Sequence, residues 1–191
     1  MQLGIPDSEF IRGEVPMTKQ EVRILSVAKL QLDKASVVYD IGAGTGSVSI
    51  EAAMQCPDGR VYAIEKAPEG ISLIDANRKK FNIGNIELVE GIAPQCMERL
   101  PAPTHVFIGG SGGRLVDIIK AVRKKNPKVR FVLNAVTLET MGELMKLQGL
   151  FPEYADMEVI QVSVSRAKVL GNHHLMRAEN PVCIAAFGAS M

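Results

Sequence analysis

A strand, a tight glycine turn and a helix start follow one another in "VVYDIGAGTGSVSIEAA", Val37 to Ala53, and this stretch constrains the fold more than any other. Gly42, Gly44 and Gly46 permit positive φ and let a ligand approach the main chain, while the helix that begins at Ser47 offers free N–H groups. Such a turn belongs at the carboxyl edge of a parallel sheet, and the rest of the chain supplies one. The strand candidates "SVVYDI", "RVYAIE", "IELVEG", "HVFIGG" and "VRFVLNAV" alternate with helix candidates beginning near Ser47, Pro68, Ala93, Gly113 and Leu138. Alternation of this kind indicates an α/β, Rossmann-like fold. Beyond Leu150, "MEVIQVSVSRAKVL" and "NPVCIAAFGA" read as two long strands joined by the polar "GNHHLMRAE". Without a helix between them they form a C-terminal antiparallel pair, giving a mostly parallel, seven-stranded sheet.

The chain has 191 residues, 47% of them hydrophobic, which suits one domain over 1–191. Within it, residues 1–35 form an N-terminal cap and leading helix, 36–150 the alternating core, and 151–191 the antiparallel pair. In the leading helix, Thr18 and Glu21 have capping-box spacing, and Met17 is placed to staple onto Val22. A net charge of +1 provides no general field for a nucleic acid or an anionic membrane. Cys56, Cys96 and Cys183 are dispersed and odd in number, which argues against a disulfide framework or a zinc site and suits a reducing cytoplasm. Neither a signal peptide nor an apolar membrane span is legible. His173 and His174, adjacent and expected in a loop, do not make a metal site. The basic ends "RKK" at 78–80 and 123–125 suit helix C-termini.

The glycine spacing differs from the nicotinamide fingerprint, because position 47 is Ser rather than Gly. Asp40 precedes the turn, and Glu65 ends the second strand, where a carboxylate can accept both ribose hydroxyl hydrogens of an adenosine. A further turn, "VEGIAPQ", ends the third strand and would flank an adenine. The ordered set resembles the class I S-adenosylmethionine-dependent methyltransferases. "GIPDSEF", "MTKQEVR", "EGIAPQ", "FIGGSGG" and "NAVTLET" further resemble the decarboxylating precorrin C15-methyltransferases of cobalamin biosynthesis. The matching stretches keep the family's order from residue 4 to 140. The resemblance implies a cofactor site at Thr18, Asp40, Gly42, Ala43, Gly44, Thr45, Gly46, Glu65 and Ala93. At position 92 many relatives carry Asp where this chain has Ile92, so only apolar and backbone contacts to the adenine are expected there. It also implies a tetrapyrrole-derived macrocycle as substrate, methylated at C15 with decarboxylation of the ring C acetate, and a homotetramer.

A second glycine turn, Gly109 to Gly113, stands where other methyltransferases place polar catalytic groups. Its missing side chains make room for a broad macrocycle, with Gly109, Gly110, Ser111, Gly112 and Arg114 as the substrate-binding set. Glu139 is the one candidate for proton handling, and it also suits the first turn of a helix. Two alternatives stay open: a methyltransferase of the same fold acting on RNA or another small molecule, and a cofactor-binding scaffold without catalysis. Near-neutral charge and few aromatics weigh against RNA.

Overall fold

The computed structural model describes residues 3–154 and 157–189. Helix α1 (Gln20–Leu30) leads into β1 (Val37–Ile41), α2 (Ser47–Gln55), β2 (Arg60–Glu65), α3 (Pro68–Lys80) and β3 (Ile86–Glu90). There follow β4 (His105–Ile108), α4 (Leu115–Lys125), β5 (Arg130–Ala135) and α5 (Leu138–Leu150). The C-terminal part holds four strands: β6 (Glu158–Val162), β7 (Ser165–Leu170), β8 (His173–Ala178) and β9 (Val182–Gly188). Seven strands form one sheet in the order β3-β2-β1-β4-β5-β9-β6. The first five are parallel, and β9 runs antiparallel between β5 and β6.

Strand order reverses between β1 and β4, and ligands of such sheets bind in the crevice at that point. Both glycine turns leave the sheet here, one from each strand. Alternation along β1 decides what each face receives. Tyr39 and Ile41 pack with Ile118, Ile119 and Val122 of α4 on one side. Val38 packs on the other side with Ile50 and Ala53 of α2, and Asp40 meets Ser49 of the same helix there.

Five expectations need correction. The helix expected near Ala93 is only a short 3-10 turn, Gln95–Met97. Pro101 and Pro103 follow at once; each lacks an N–H and biases the preceding residue away from the helical region, so no helix propagates. The capping box at Thr18 does not form. Lys19 occupies the N-cap without a side-chain cap, which places Glu21 one position too early, and Glu21 pairs instead with Arg166 at 2.5 Å. Nor does Met17 share a cluster with Val22: it packs with Ile5 and Phe10, while Val22 joins Phe107 and Val132. Finally, the long strand after Leu150 breaks at Val162, and its second half pairs with β8 as a separate two-stranded sheet. His173 and His174 therefore lie on a strand, opposite Leu170 and Val169. Every β8 residue is exposed, so burial left no apolar signature to read. The missed signal is Gly171-Asn172, a two-residue hairpin turn with Gly171 at φ +60°.

Candidate functional site

A cavity of about 950 Å³ opens at the switch point. One wall is the first glycine turn. Gly42, Gly44 and Gly46 have φ of +73°, +57° and +77°, a region in which a Cβ would be strained. The turn hangs from β2, because Gly42 N–H and Ala43 N–H both donate to the Ile64 carbonyl. Glu65 braces it from the side: its Oε2 accepts from Gly44 N–H at 2.9 Å, and its Oε1 accepts from Lys66 and Ala67 N–H. Carboxylate oxygens have further lone pairs, so Oε2 retains capacity for ligand hydroxyls.

Asp40 is almost fully buried behind this turn. Its Oδ2 accepts from Ser49 Oγ, while Oδ1 has no partner. Burial pushes the carboxyl up to about 7, with the Ser49 hydrogen bond opposing and the Glu65 charge adding to the rise. A buried carboxylate with one free oxygen in a cavity wall suits a cationic group, and here the residues fit a ligand with a positive charge near an adenosine. Ala93 is buried and lines the cavity, whereas Ile92 beside it is 48% exposed and offers an apolar face.

The opposite wall is the second glycine turn, and the two turns pack main chain against main chain. Gly109 and Gly110 N–H both point at the Ile41 carbonyl. A Cβ on Gly42 would come within 2.9 Å of Gly110 N and O, whereas one on Gly110 would meet nothing within 4 Å. Gly109 thus serves packing, since its Cβ would lie 3.2 Å from Gly42 O, while Gly110 faces open space. A second cavity of about 360 Å³ lies beyond, lined by Gly109 to Gly113, Asn134, Val136, Thr137, Glu139, Thr140 and Glu143.

The sequence-derived residues divide accordingly. Thr18, Asp40, Gly42, Ala43, Gly44, Glu65, Ala93, Gly109, Gly110, Ser111, Gly112 and Arg114 all line the larger cavity. Thr45 and Gly46 stand behind the turn: Thr45 is buried, and a Cβ on Gly46 would press on Ile74 at 3.1 Å. Glu139 reaches only the smaller cavity. Ser111 Oγ lies 3.4 Å from Glu143 Oε2, and Arg114 Nη1 donates to Gln95 Oε1 at 3.1 Å.

Sequence reading missed the third wall. Val162, Val164, Arg177, Glu179 and Asn180 come from the base of the β7–β8 hairpin, which Glu179 N–H closes by donating to Val164 O. Arg166 ties that hairpin to the body by an ion pair to Glu21 of α1 and pairs with Glu179 at the hairpin's own base. Val15 and Pro16, from the N-terminal segment, close over Gly44, where a Cβ would lie 3.0 Å from Pro16 O. Among the described residues no group of three or more His, Cys, Asp or Glu is placed to hold a metal. No helix there is long and apolar enough to cross a membrane.

Strand order, glycine turn and acidic β2 terminus together define a class I methyltransferase fold. An S-adenosylmethionine-dependent O-methyltransferase from Thermotoga maritima shares it at a TM-score of 0.67 and 17% identity, covering 92% of this chain and 68% of that one, a likeness of fold alone. The particular family follows from the sequence: residues 9–187 match the precorrin methyltransferase domain, and the chain belongs to that family. It is 41% identical over 182 residues to the cobalt-precorrin-6B C(15)-methyltransferase (decarboxylating) of Salmonella typhimurium, covering 94% of this chain and 93% of that protein. A crystal structure of precorrin-6y C5,15-methyltransferase from Geobacter metallireducens is similar at a TM-score of 0.88 and 42% identity, covering 97% of this chain and 98% of that one.

Proposed function

We infer that this chain is a decarboxylating C-methyltransferase that acts on C15 of a cobalt-precorrin-6B-type macrocycle, with S-adenosylmethionine as methyl donor and loss of carbon dioxide from the ring C acetate. The observation that carries the reading is the paired-turn cavity. One wall is a glycine turn braced by Glu65 and backed by the half-paired Asp40; the facing turn, Gly109 to Gly113, carries no acid or base.

The donor supplies a methyl group on a positively charged sulfur, with a neutral thioether leaving. What the protein's residues contribute is position. Glu65 accepts from ribose hydroxyls while it holds Gly44, Ile92 and Ala93 cover the adenine, and Asp40 balances positive charge in the donor's amino acid portion. Thr18 lines the donor side of the same cavity. Across from them, Gly110 and Gly112 leave space for a flat ring, and Ser111 helps seat it. Lys19, Lys66, Arg114 and Arg177 line the cavity and hold peripheral carboxylates. Holding carbon and methyl in line is the main catalytic task. Departure of carbon dioxide leaves an electron pair that the conjugated ring accepts, so no strong base is needed. Glu139, in the smaller cavity, remains the candidate for passing a proton to the methylene carbon that has lost carbon dioxide, which makes it a methyl group.

The whole chain acts as one domain of a cytoplasmic homo-oligomer, a tetramer by the family resemblance. Val169, Leu170, Leu175 and Met176 on the β7–β8 hairpin are exposed apolar side chains of the kind that subunit contacts cover. The reading is tested by offering the protein labelled S-adenosylmethionine with cobalt-precorrin-6B, metal-free precorrin-6B or bulk RNA. Label transfer to a macrocycle alone is expected, and transfer to RNA alone would overturn it.

A further inference from the structure

Asn134 is named in neither the cofactor nor the macrocycle set above, yet it stands where the two meet. Pairing of β4 with β5 ends at Ile108 opposite Leu133, so Asn134 lies one step beyond, level with Gly109 at the carboxyl edge. It is 9% exposed and lines both cavities. One end of its amide lies 3.0 Å from Ser26 Oγ of α1, and the same hydroxyl lies 2.7 Å from the Val22 carbonyl one turn earlier. The other end of the amide is buried without a partner.

A hydroxyl has one hydrogen and cannot serve both acceptors. With the amide oxygen toward Ser26, only one of the two bonds forms, and a buried NH2 keeps both hydrogens unsatisfied. With the nitrogen toward Ser26, N–H donates to Oγ and Oγ–H donates to the Val22 carbonyl. This leaves Oδ1 as the buried, unpaired atom of a residue that lines both cavities. The second arrangement makes one more hydrogen bond and leaves one acceptor and one N–H hydrogen unpaired where the first leaves two donor hydrogens, the less costly of the two. Back-bonding of a helical Ser to the carbonyl four residues earlier is its ordinary behaviour.

We propose that Asn134 is a specificity-determining residue: its side-chain carbonyl, held by Ser26, accepts from a polarised hydrogen of the reactants at the wall shared by the two cavities. Two sources carry that chemistry, the methyl hydrogens next to the donor's positively charged sulfur and an N–H of the acceptor ring. Ionised acetates and propionates are acceptors themselves, so this oxygen turns them away from the turn and toward Lys19, Arg114 and Arg177. Ser26 is a positioning residue that acts through Asn134. The proposal rests on the methyltransferase reading.

The test is calorimetric, on full-length wild type, Asn134→Ala, Asn134→Asp and Ser26→Ala, with thermal melting of each variant as the check on folding. S-adenosylmethionine and S-adenosylhomocysteine are titrated separately, and cobalt-precorrin-6B and metal-free precorrin-6B are titrated into the S-adenosylhomocysteine complex. If the methyl is the source, Asn134→Ala loses roughly five- to tenfold of the preference for S-adenosylmethionine over S-adenosylhomocysteine. If the ring is the source, Asn134→Ala loses a similar factor in affinity for metal-free precorrin-6B and leaves S-adenosylmethionine unchanged. Asn134→Asp, which keeps an oxygen toward the cavity, retains the lost property in either case. Ser26→Ala shifts it in the same direction by less. The proposal is overturned if Asn134→Ala binds all four ligands like wild type, or if Asn134→Asp fails together with Asn134→Ala. Failure of wild type to bind S-adenosylmethionine at all overturns the methyltransferase reading itself, and this proposal with it.

Discussion

Asp40 would be an ordinary solvated acid if it were exposed; burial beside Glu65 is what changes its behaviour. Its carboxyl rises from 3.8 to about 7, so in the ligand-free fold it holds a proton that the unfolded chain releases well below neutrality. Between those two values the folded state binds more protons, and the Asp40 contribution to stability therefore falls as pH rises through that window. A cationic ligand reverses the preference by favouring the ionised form. S-adenosylmethionine affinity is accordingly expected to drop about tenfold from pH 8 to pH 6, as the cost of removing that proton grows. In Asp40→Asn the affinity is weaker and this pH dependence disappears; isothermal titration at the two pH values reads both. Asp40 and Glu65 were legible in the sequence because each ends a strand next to a turn, and chain-local spacing places them. Arg177 and Glu179 were not legible as site residues, because only tertiary packing brings the β7–β8 hairpin to the cavity.

Between elements, the two glycine turns behave as one interlocked unit with different requirements on each side. Gly42 has positive φ and main-chain contact with Gly110, so Gly42→Ala is expected to force the turns apart and to lower both stability and cofactor affinity. Gly110 has no positive φ, and a Cβ on it would point into open space. Gly110→Val should fold, keep S-adenosylmethionine binding within about twofold, and cut turnover by more than about tenfold by filling the acceptor space. Binding and single-turnover assays on the two variants separate these outcomes, and loss of cofactor binding in Gly110→Val would contradict the division of labour between the walls. The central alternation of strand and helix was readable because its apolar periods are long and buried. Two failures have different causes. At Thr18 a sequence-local cap gave way to Arg23, which draws the Thr18 carbonyl to its own Nη1 at 2.6 Å. At His173 to Ala178 an exposed strand is held by main-chain pairing, which leaves no hydrophobic period to detect.

For the molecule as a whole, the N-terminal segment is the element that turns an open crevice into a cavity. Arg23, fully buried, donates to Glu51 and Asp7 and to the carbonyls of Ile5 and Thr18, and its guanidinium lies over Phe10. Glu51 in turn accepts from Gly4 and Ile5 N–H, while Asn77 and Glu69 fasten Ile11 and Glu14. Arg23→Met strands the buried Glu51 carboxylate and is expected to cost about 3–5 kcal/mol, read by urea unfolding. At the other end of the chain, Val169→Asp with Met176→Asp is expected to lower the oligomeric state in sedimentation while leaving the melting transition of the protomer in place. Both predictions concern the setting of the site; the chemistry itself is tested by a single-turnover reaction with methyl-labelled S-adenosylmethionine and cobalt-precorrin-6B. One labelled methyl at C15 for each carbon dioxide released is the expected result. Methyl transfer without carbon dioxide, or no transfer to the macrocycle, would contradict the account.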